Sequence, residues 1–349
     1  MSSSRSLFLH IGLPKSGTTF LQRVLAEHRP ALAAQGLMYP GERPDHFLPA
    51  QDVLERPFRG HEDDRAPGAW KATVREVAAW PGAALISHET FTAATSEQVR
   101  TIVAAFPDRP VELVITERDL ARQLTASWQE TVKNGQSRTL TEYVERARSR
   151  ADDASSNSGF WFWQNIEGVL QRWRDVVPAE RTHLVTVPPR GTDPGLLWQR
   201  FANVLDIELS PDEVADRSDN ASLGSAETEF LRRLNADLGD TIEWPAYRLY
   251  VKQFLAQRAL PRFEQSGPIV LSPSDQAWAA SLSRRLVQTL SGAPLRVHGD
   301  LADLESPESP GPSLEVTDAA VIEVGVRAIA QMLRRIGREH STPATGRAS

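Results

Sequence analysis

Near its start the chain reads Gly12-Leu13-Pro14-Lys15-Ser16-Gly17-Thr18-Thr19, which gathers two glycines, one lysine and three hydroxyls in one short segment. These residue types suit an oxyanion. Glycines let backbone N–H groups approach a charged oxygen closely, Pro14 stiffens the turn, and Ser16, Thr18 and Thr19 add hydroxyl donors. Lys15 adds a mobile positive charge. The apolar run LFLHI (7–11) precedes the segment, and TTFLQRVLAEH, with Phe20, Leu21, Val24 and Leu25 on one stripe, is expected to be the helix that follows. A buried strand, a tight loop and a helix start in that order aim several amides and the positive end of the helix dipole at one point, a ready site for phosphate. Gly12 and Gly17 have the separation of the Walker A pattern GxxxxGK(S/T), but Thr18 stands where that pattern has its lysine. This is a phosphate loop of another kind.

Group transfer also needs a proton acceptor within hydrogen-bond reach. His88 and Glu89 follow the run AALIS (83–87), at the sheet edge where α/β folds assemble ligand sites. Successive strand residues face opposite ways, so one of the two is expected to point at the cleft; the other reading is a cap for the following helix, or a pair with Lys15. A second cation is Arg118, just past VELVIT (111–116), with a fork of donors that matches a phosphate. The helix after it carries Arg122, Thr125 and Ser127. Arg122 is a further phosphate candidate or a solvated helix-face charge. His10 reads as a satisfied core histidine, and His46 as a surface loop residue or part of an acceptor cleft. The aromatic cluster GFWFWQN (159–165) reads as a buried helix start in preference to a stacking platform. The sequence has no HExxH, no paired His/Asp cluster on one helix and no cysteine, so no metal site is expected.

The elements that must position these groups follow a strand–helix rhythm. LFLHI, AALIS, VELVIT and THLVTV (182–187) are dominated by Leu, Val and Ile without strict polar alternation, the pattern of strands covered on both faces. Helices are expected at SEQVRTIVAAF, RDLARQLTASWQETVKN and NIEGVLQRWRDVV. The fold class is therefore α/β, an open parallel sheet flanked by helices, with a helical C-terminal part. Residues 39–80 read as loops with a helix or two beside the cleft. Beyond Pro189 the strand signal fades into GLLWQRFANVL, AETEFLRRLNADL and DQAWAASLSRRLVQTL, all amphipathic. Leu301–Pro312, with ESPESPGP, reads as a linker, 318–336 as a last helix, and STPATGRAS as a disordered tail. The expected organisation is an α/β core over 1–205, a helical part of the same domain over 206–310, and a helix and tail over 311–349.

Composition narrows the classes. The chain has 349 residues, with 39 Lys and Arg against 45 Asp and Glu, a net charge of −6. That balance lacks the field of a general nucleic-acid binder. Zero cysteines rule out disulfides, thiolate metal sites and cysteine nucleophiles. No apolar run approaches the ~18 residues of a membrane span, and the N-terminal run is too short and interrupted for a signal peptide. A cytoplasmic protein is expected.

The segment PKSGTT in its strand–loop–helix setting resembles the 5′-phosphosulfate loop of sulfotransferases that use 3′-phosphoadenosine 5′-phosphosulfate. The resemblance covers roughly residues 7–190. It implies that Pro14, Lys15, Ser16, Gly17, Thr18 and Thr19 hold the 5′-phosphate, with Lys15 contacting the bridging oxygen where charge grows as the sulfuryl group departs. It implies that Arg118 and a helix serine hold the 3′-phosphate. Family members space these by eight residues, which lands on Ala126; Ser127 is preferred over Thr125. Cytosolic-type members carry a histidine at the end of the strand that here ends in Ser87, glycosaminoglycan-type members a glutamate; LISHETF resembles the glutamate type, which favours Glu89 over His88 as base. The family's late basic glycine segment has no counterpart, since NASLGSAETEF (220–230) has the glycine without the cations. The implied acceptor is a small molecule or carbohydrate bearing a hydroxyl or amine. The competing functions are a magnesium-dependent P-loop kinase or hydrolase, and a nucleotide-binding protein without chemistry.

Overall fold

Each of the four apolar runs forms a strand, and two further strands complete the sheet. A computed structural model describes residues 5–57, 63–151, 159–193, 195–209, 214, 222–264, 266–309, 311 and 316–341. Its strands are β1 (Leu7–His10), β2 (Leu37–Met38), β3 (Ala83–Ser87), β4 (Val111–Glu117), β5 (Thr182–Thr186) and β6 (Arg296–His298). They form one all-parallel sheet in the order β2-β3-β1-β4-β5-β6. The edge strands β2 and β6 were absent from the sequence reading. They are only two and three residues long, too short to show a period.

The helices are α1 (Thr18–Glu27), α2 (Arg29–Ala34), α3 (Phe47–Val53), α4 (Ala69–Ala79), α5 (Ser96–Ala104), α6 (Leu120–Lys133), α7 (Leu140–Arg148), α8 (Phe160–Gln164), α9 (Ile166–Trp173), α10 (Leu196–Leu205), α11 (Ser225–Leu238), α12 (Pro273–Ser291) and α13 (Asp318–Ser341). A helix of π type spans Tyr247–Ala259. No described helix is long and apolar enough to cross a membrane. The expected tail after Ser341, and Pro310 and Pro312 of the expected linker, lie outside the described residues.

Contacts divide the chain into two compact units. The first comprises Met1–Gln123, Ala147–Asp216 and Trp278–Pro307; the second comprises Leu124–Arg146, Arg217–Ala277 and Glu308–Ser349. The first holds the sheet. Alternation along its strands sends Leu7, Leu9, Ile86, Leu113 and Ile115 to one face, against Val99 and Ile102 of α5 and Val169 and Trp173 of α9. Phe8, Leu85, Val114 and Val185 face the other way, against Leu21 and Leu25 of α1 and Trp198 and Phe201 of α10. Burial on both faces is why these strands read as continuous apolar runs. The chain leaves β1 toward the β2–β3 side and leaves β4 toward the β5–β6 side, which opens a crevice between the C-terminal ends of β1 and β4.

The second unit packs α11, the π-type helix and α13 around Leu231, Tyr247, Val251, Leu255 and Val324. Asn235 is buried there, donating to Val132 O and Gln136 O and accepting from the Tyr247 hydroxyl at 2.8 Å.

At the opposite edge of the sheet from the crevice, Arg109 is 6% exposed and donates to four backbone carbonyls, those of Arg5, Gly82, Val77 and Trp80. These belong to the entries of β1 and β3 and the end of α4. Arg109→Ala leaves four carbonyls, one of them buried and three partly so, to find new donors and is expected to lower stability by ~1–3 kcal/mol, read by denaturant unfolding. Arg109→Lys should recover little, because one ammonium cannot span four acceptors. A loss under ~0.5 kcal/mol for alanine would show that the carbonyls are satisfied by water.

Candidate functional site

After β1 the backbone turns through Gly12 (φ 48°), Lys15 (φ 71°) and Gly17 (φ 87°) before α1 begins. Both glycines are required sterically. A Cβ on Gly12 would lie 2.4 Å from Thr18 Cγ2, and one on Gly17 would lie 2.5 Å from Leu197 Cδ2. Lys15 holds the left-handed conformation with a full side chain, a strain of ~1–3 kcal/mol of the kind that accumulates at ligand sites. No side chain caps the start of α1, so none competes for the N–H groups at the positive end of its dipole.

The three hydroxyls of the loop have different tasks. Ser16 is fully buried and turned inward, donating to Leu13 O and lying 2.6 Å from Thr116 Oγ1. It shapes the loop. Thr18 is buried, with its methyl group against Gly12, while Thr19 is exposed. Pro14 and Lys15 are half-buried.

Beneath the loop runs a polar chain across three adjacent strands. His10 Nε2 lies 3.2 Å from Thr116 Oγ1, and its Nδ1 lies 2.8 Å from Ser87 Oγ. Burial lowers the His10 pKa to about 3, with Glu89 opposing the shift and His88 adding to it, so the ring is neutral. His10 is the satisfied core histidine expected from its place on β1. Gln22 of α1 extends the chain, donating to Ser87 O at 3.3 Å and to Glu89 Oε2 at 3.5 Å.

His88 and Glu89 follow β3 and open a short 3₁₀ turn, Glu89–Ala93. His88 Nδ1 accepts the Thr90 N–H at 3.0 Å, so His88 is the cap of that turn. Its Nε2 lies 4.0 Å from Glu89 Oε2. Glu89 is half-buried. Desolvation opposes its charge, but His88, its own backbone N–H, Lys15 and Gln22 together outweigh that and lower its pKa. Glu89 is thus a carboxylate at neutral pH, within the field of the Lys15 ammonium.

His46 departs from the surface reading. It is 3% exposed, accepts the Ser87 N–H through Nδ1 at 3.1 Å, and has Nε2 3.0 Å from Pro40 O. Its ring packs edge-on against Tyr39. Burial lowers its pKa to about 4. It fastens the chain before α3 to the end of β3, a long-range pairing that nothing in RPDHFLPAQ announces.

Arg118 lies at the C-terminal end of β4, beside the loop's strand. Its guanidinium donates to Arg122 O, and its buried Nε–H has no partner. Burial foremost, with the neighbouring charges of Arg122 and Arg190, lowers its pKa to about 10, so it remains a cation. An anion would satisfy it. Arg122 is engaged structurally, as an ion pair with Asp119 and a donor to Pro188 O and Val187 O, so it is not a solvated helix-face charge. Thr125 and Ser127 follow the point where α6 passes into the second unit; Thr125 is buried, and Ser127 hydrogen-bonds to Tyr143.

A second buried chain holds the loop from the other side. Gln164 of α8 donates to Pro14 O at 2.9 Å and accepts from Gln123 at 2.9 Å, and Gln123 lies beside the Glu117 carboxyl. The aromatic cluster therefore supplies Gln164 as a loop support; Phe160 is buried, while Phe162 and Trp163 stack under Arg56 at 4.6 and 5.1 Å. Sequence reasoning missed Gln22, Thr116, Glu117 and Gln164. The available signal was a polar residue inside an otherwise apolar strand, as at Thr116 and Glu117.

Fold and site define an open, all-parallel α/β protein whose first loop, helix start and Arg118 present donors and positive charge at the crevice between β1 and β4. No protein-family model matches the chain, and no curated protein matches it. Among solved structures it is similar to a sulfotransferase from Alicyclobacillus acidocaldarius, at 15% identity and a TM-score of 0.39, over 70% of this chain and 100% of that one.

Glu117 provides a test of the buried network. Burial raises its pKa to about 8 from 4.5, against the opposing pull of the Arg118 N–H, Gln123 and the Arg118 charge. Its Oε2 and the Gln123 Oε1 both lack donors, which a proton on the carboxyl would provide. A raised folded-state pKa means that the unfolded chain loses this proton first. The site's stabilisation is therefore full below pH 4.5, declines as pH rises and is gone by about pH 8. Glu117→Gln should match the parent in thermal stability near pH 4.5 and exceed it by ~1–3 kcal/mol above pH 8. A gap that does not change with pH would mean that Glu117 is ionised in the fold.

Proposed function

We propose that this protein is a sulfotransferase that moves a sulfuryl group from 3′-phosphoadenosine 5′-phosphosulfate to a hydroxyl or amine of a small-molecule or carbohydrate acceptor. The observation that carries this is the Gly12–Thr19 loop: left-handed backbone at Gly12, Lys15 and Gly17, an uncapped helix start, and a lysine ahead of the second glycine. Backbone amides at Gly17, Thr18 and Thr19 would hold the 5′-phosphate. Arg118, with its unpartnered Nε–H, suits the 3′-phosphate. The nucleotide supplies the sulfuryl group, and the rest is the work of this chain.

Lys15 neutralises charge as it accumulates on the leaving phosphate oxygen. A donor aimed at developing charge typically contributes ~10²–10³ in rate. Glu89 takes the acceptor's proton; its lowered pKa keeps it in the basic form, and Gln22 steadies its orientation. His88 supports it electrostatically, while its Nδ1 is committed to Thr90. The proton ends on Glu89, and the electron pair of the broken S–O bond leaves with the nucleotide.

Titration calorimetry tests the nucleotide class before any acceptor is known. 3′-Phosphoadenosine 5′-phosphate is expected to bind more tightly than ATP, and Arg118→Ala to weaken it ~10–100-fold, the loss of a charge-assisted contact. Tighter binding of ATP with magnesium-dependent turnover would replace this proposal with a kinase or hydrolase.

Once an acceptor is found, Lys15→Ala should cut kcat by ~10²–10³ with little change in nucleotide affinity. Glu89→Gln should lower kcat at least ~10²-fold and His88→Asn by much less. Full activity of Glu89→Gln would remove that carboxylate from the mechanism.

A further inference from the structure

Among the described residues, the last helix of the second unit has one apolar face that is buried and another that is exposed. On α13, Val321, Val324 and Ala328 are buried, Gly325 lets Phe230 of α11 approach closely, and Arg327 lies over the Phe263 ring at 4.2 Å. Arg335 reaches the Phe254 ring at 4.8 Å. That face anchors the helix. On the other side Ile322, Val326, Ile329, Leu333 and Ile336 are 64, 62, 61, 63 and 42% exposed.

Their spacing is informative. The steps along the stripe are four, three, four and three residues, the 3.5-residue period of a seam that packs against another helix. Isolated exposed apolar residues are ordinary, but five large aliphatics in one row are not.

Charge indicates which helix would fit. Exposed Glu323 lies near the N-terminal end of the stripe, and exposed Arg334 lies on the same flank near its C-terminal end. Asp318 is already paired with Arg233. A second α13 laid antiparallel brings Glu323 of each copy toward Arg334 of the other, while a parallel pairing leaves the two far apart along the helices. The stripe is also nearly symmetric about Ile329, so reversing it superposes apolar positions on apolar positions. Ala330 and Gly337 flank the row and permit close approach.

We propose that α13 is a homodimerisation helix, its Ile322–Ile336 stripe packing antiparallel against the same stripe of a second copy. The pairing is isologous, since the same residues serve both partners, and it is independent of the sulfotransferase reading.

The full chain, examined by sedimentation velocity over a concentration series, should populate a dimer. Ile329→Glu and Leu333→Glu should each weaken dimerisation by at least ~100-fold with unchanged circular dichroism. Glu323→Arg should weaken it, and adding Arg334→Glu should restore it. Because the protein has no cysteine, single cysteines report the orientation cleanly. Ile329→Cys, near the two-fold axis, should cross-link under oxidation, and Ile322→Cys alone should not. A protein monomeric at every concentration, or a dimer indifferent to Ile329→Glu, overturns the proposal. So does equal cross-linking at 322 and 329, which means parallel helices, or a monomer that instead binds anionic phosphatidylserine vesicles through this stripe.

Discussion

The loop after β1 depends on one buried chain of hydrogen bonds, in which Ser16, Thr116, His10 and Ser87 run side by side across β4, β1 and β3. The imidazole at its centre is fully buried and neutral, and it touches a hydroxyl at each nitrogen. With the Ser16 hydroxyl donating to Leu13 O, Thr116 donates to Ser16, His10 Nε2–H donates to Thr116 and Nδ1 accepts from Ser87, so the chain runs in one direction with no orphan. That single ordering matters under a loop with three left-handed residues. The strain there must be offset by contacts that determine the turn, and a buried network with both ends satisfied provides them. Ser16 is therefore turned away from the crevice, and the donors left facing it are backbone amides and Lys15.

The same crevice contains a second balance, between Glu117 and Arg118. Adjacent residues on a strand diverge, so one can be sunk into the protein and the other left beside the crevice. Sinking the carboxyl raises its pKa, which reduces its value as a counter-ion and leaves the Arg118 charge available to a ligand. An ionised Glu117 salt-bridged to Arg118 would satisfy the guanidinium and weaken its hold on an anion. Burial of the acid thus leaves the neighbouring guanidinium without a fully charged counter-ion on β4, an effect of desolvation rather than of direct contact.

Much of this was legible in the sequence, and the reasons are local. Strands β1, β3, β4 and β5 are buried on both faces, so their composition alone marks them. The loop could be read because glycine, proline and lysine at those positions each answer a backbone or charge requirement within eight residues. The helices α1, α5, α6 and α9 were visible from period. What could not be read is long-range. Gln164 reaches Pro14 across 150 residues, His46 finds Ser87 across 41, and Ser16 finds Thr116 across 100. Single-sequence patterns hold no information on which distant polar groups will meet, and β2 and β6 owe their existence to neighbours rather than to their own residues.

Helix α13 illustrates the limit from the other side. Its sequence predicts a helix, and the arginines near its C-terminal end suit the dipole, yet amphipathicity alone does not distinguish one apolar face from two. The distinction comes from packing. Positions 324 and 328 are covered by the second unit's own core and 321 is buried, and once these are assigned the remaining aliphatics fall into a row of their own. An apolar row that stays exposed among the described residues raises the free energy of the isolated unit in water. Its alternating three- and four-residue steps also match the geometry that lets a second helix relieve that cost.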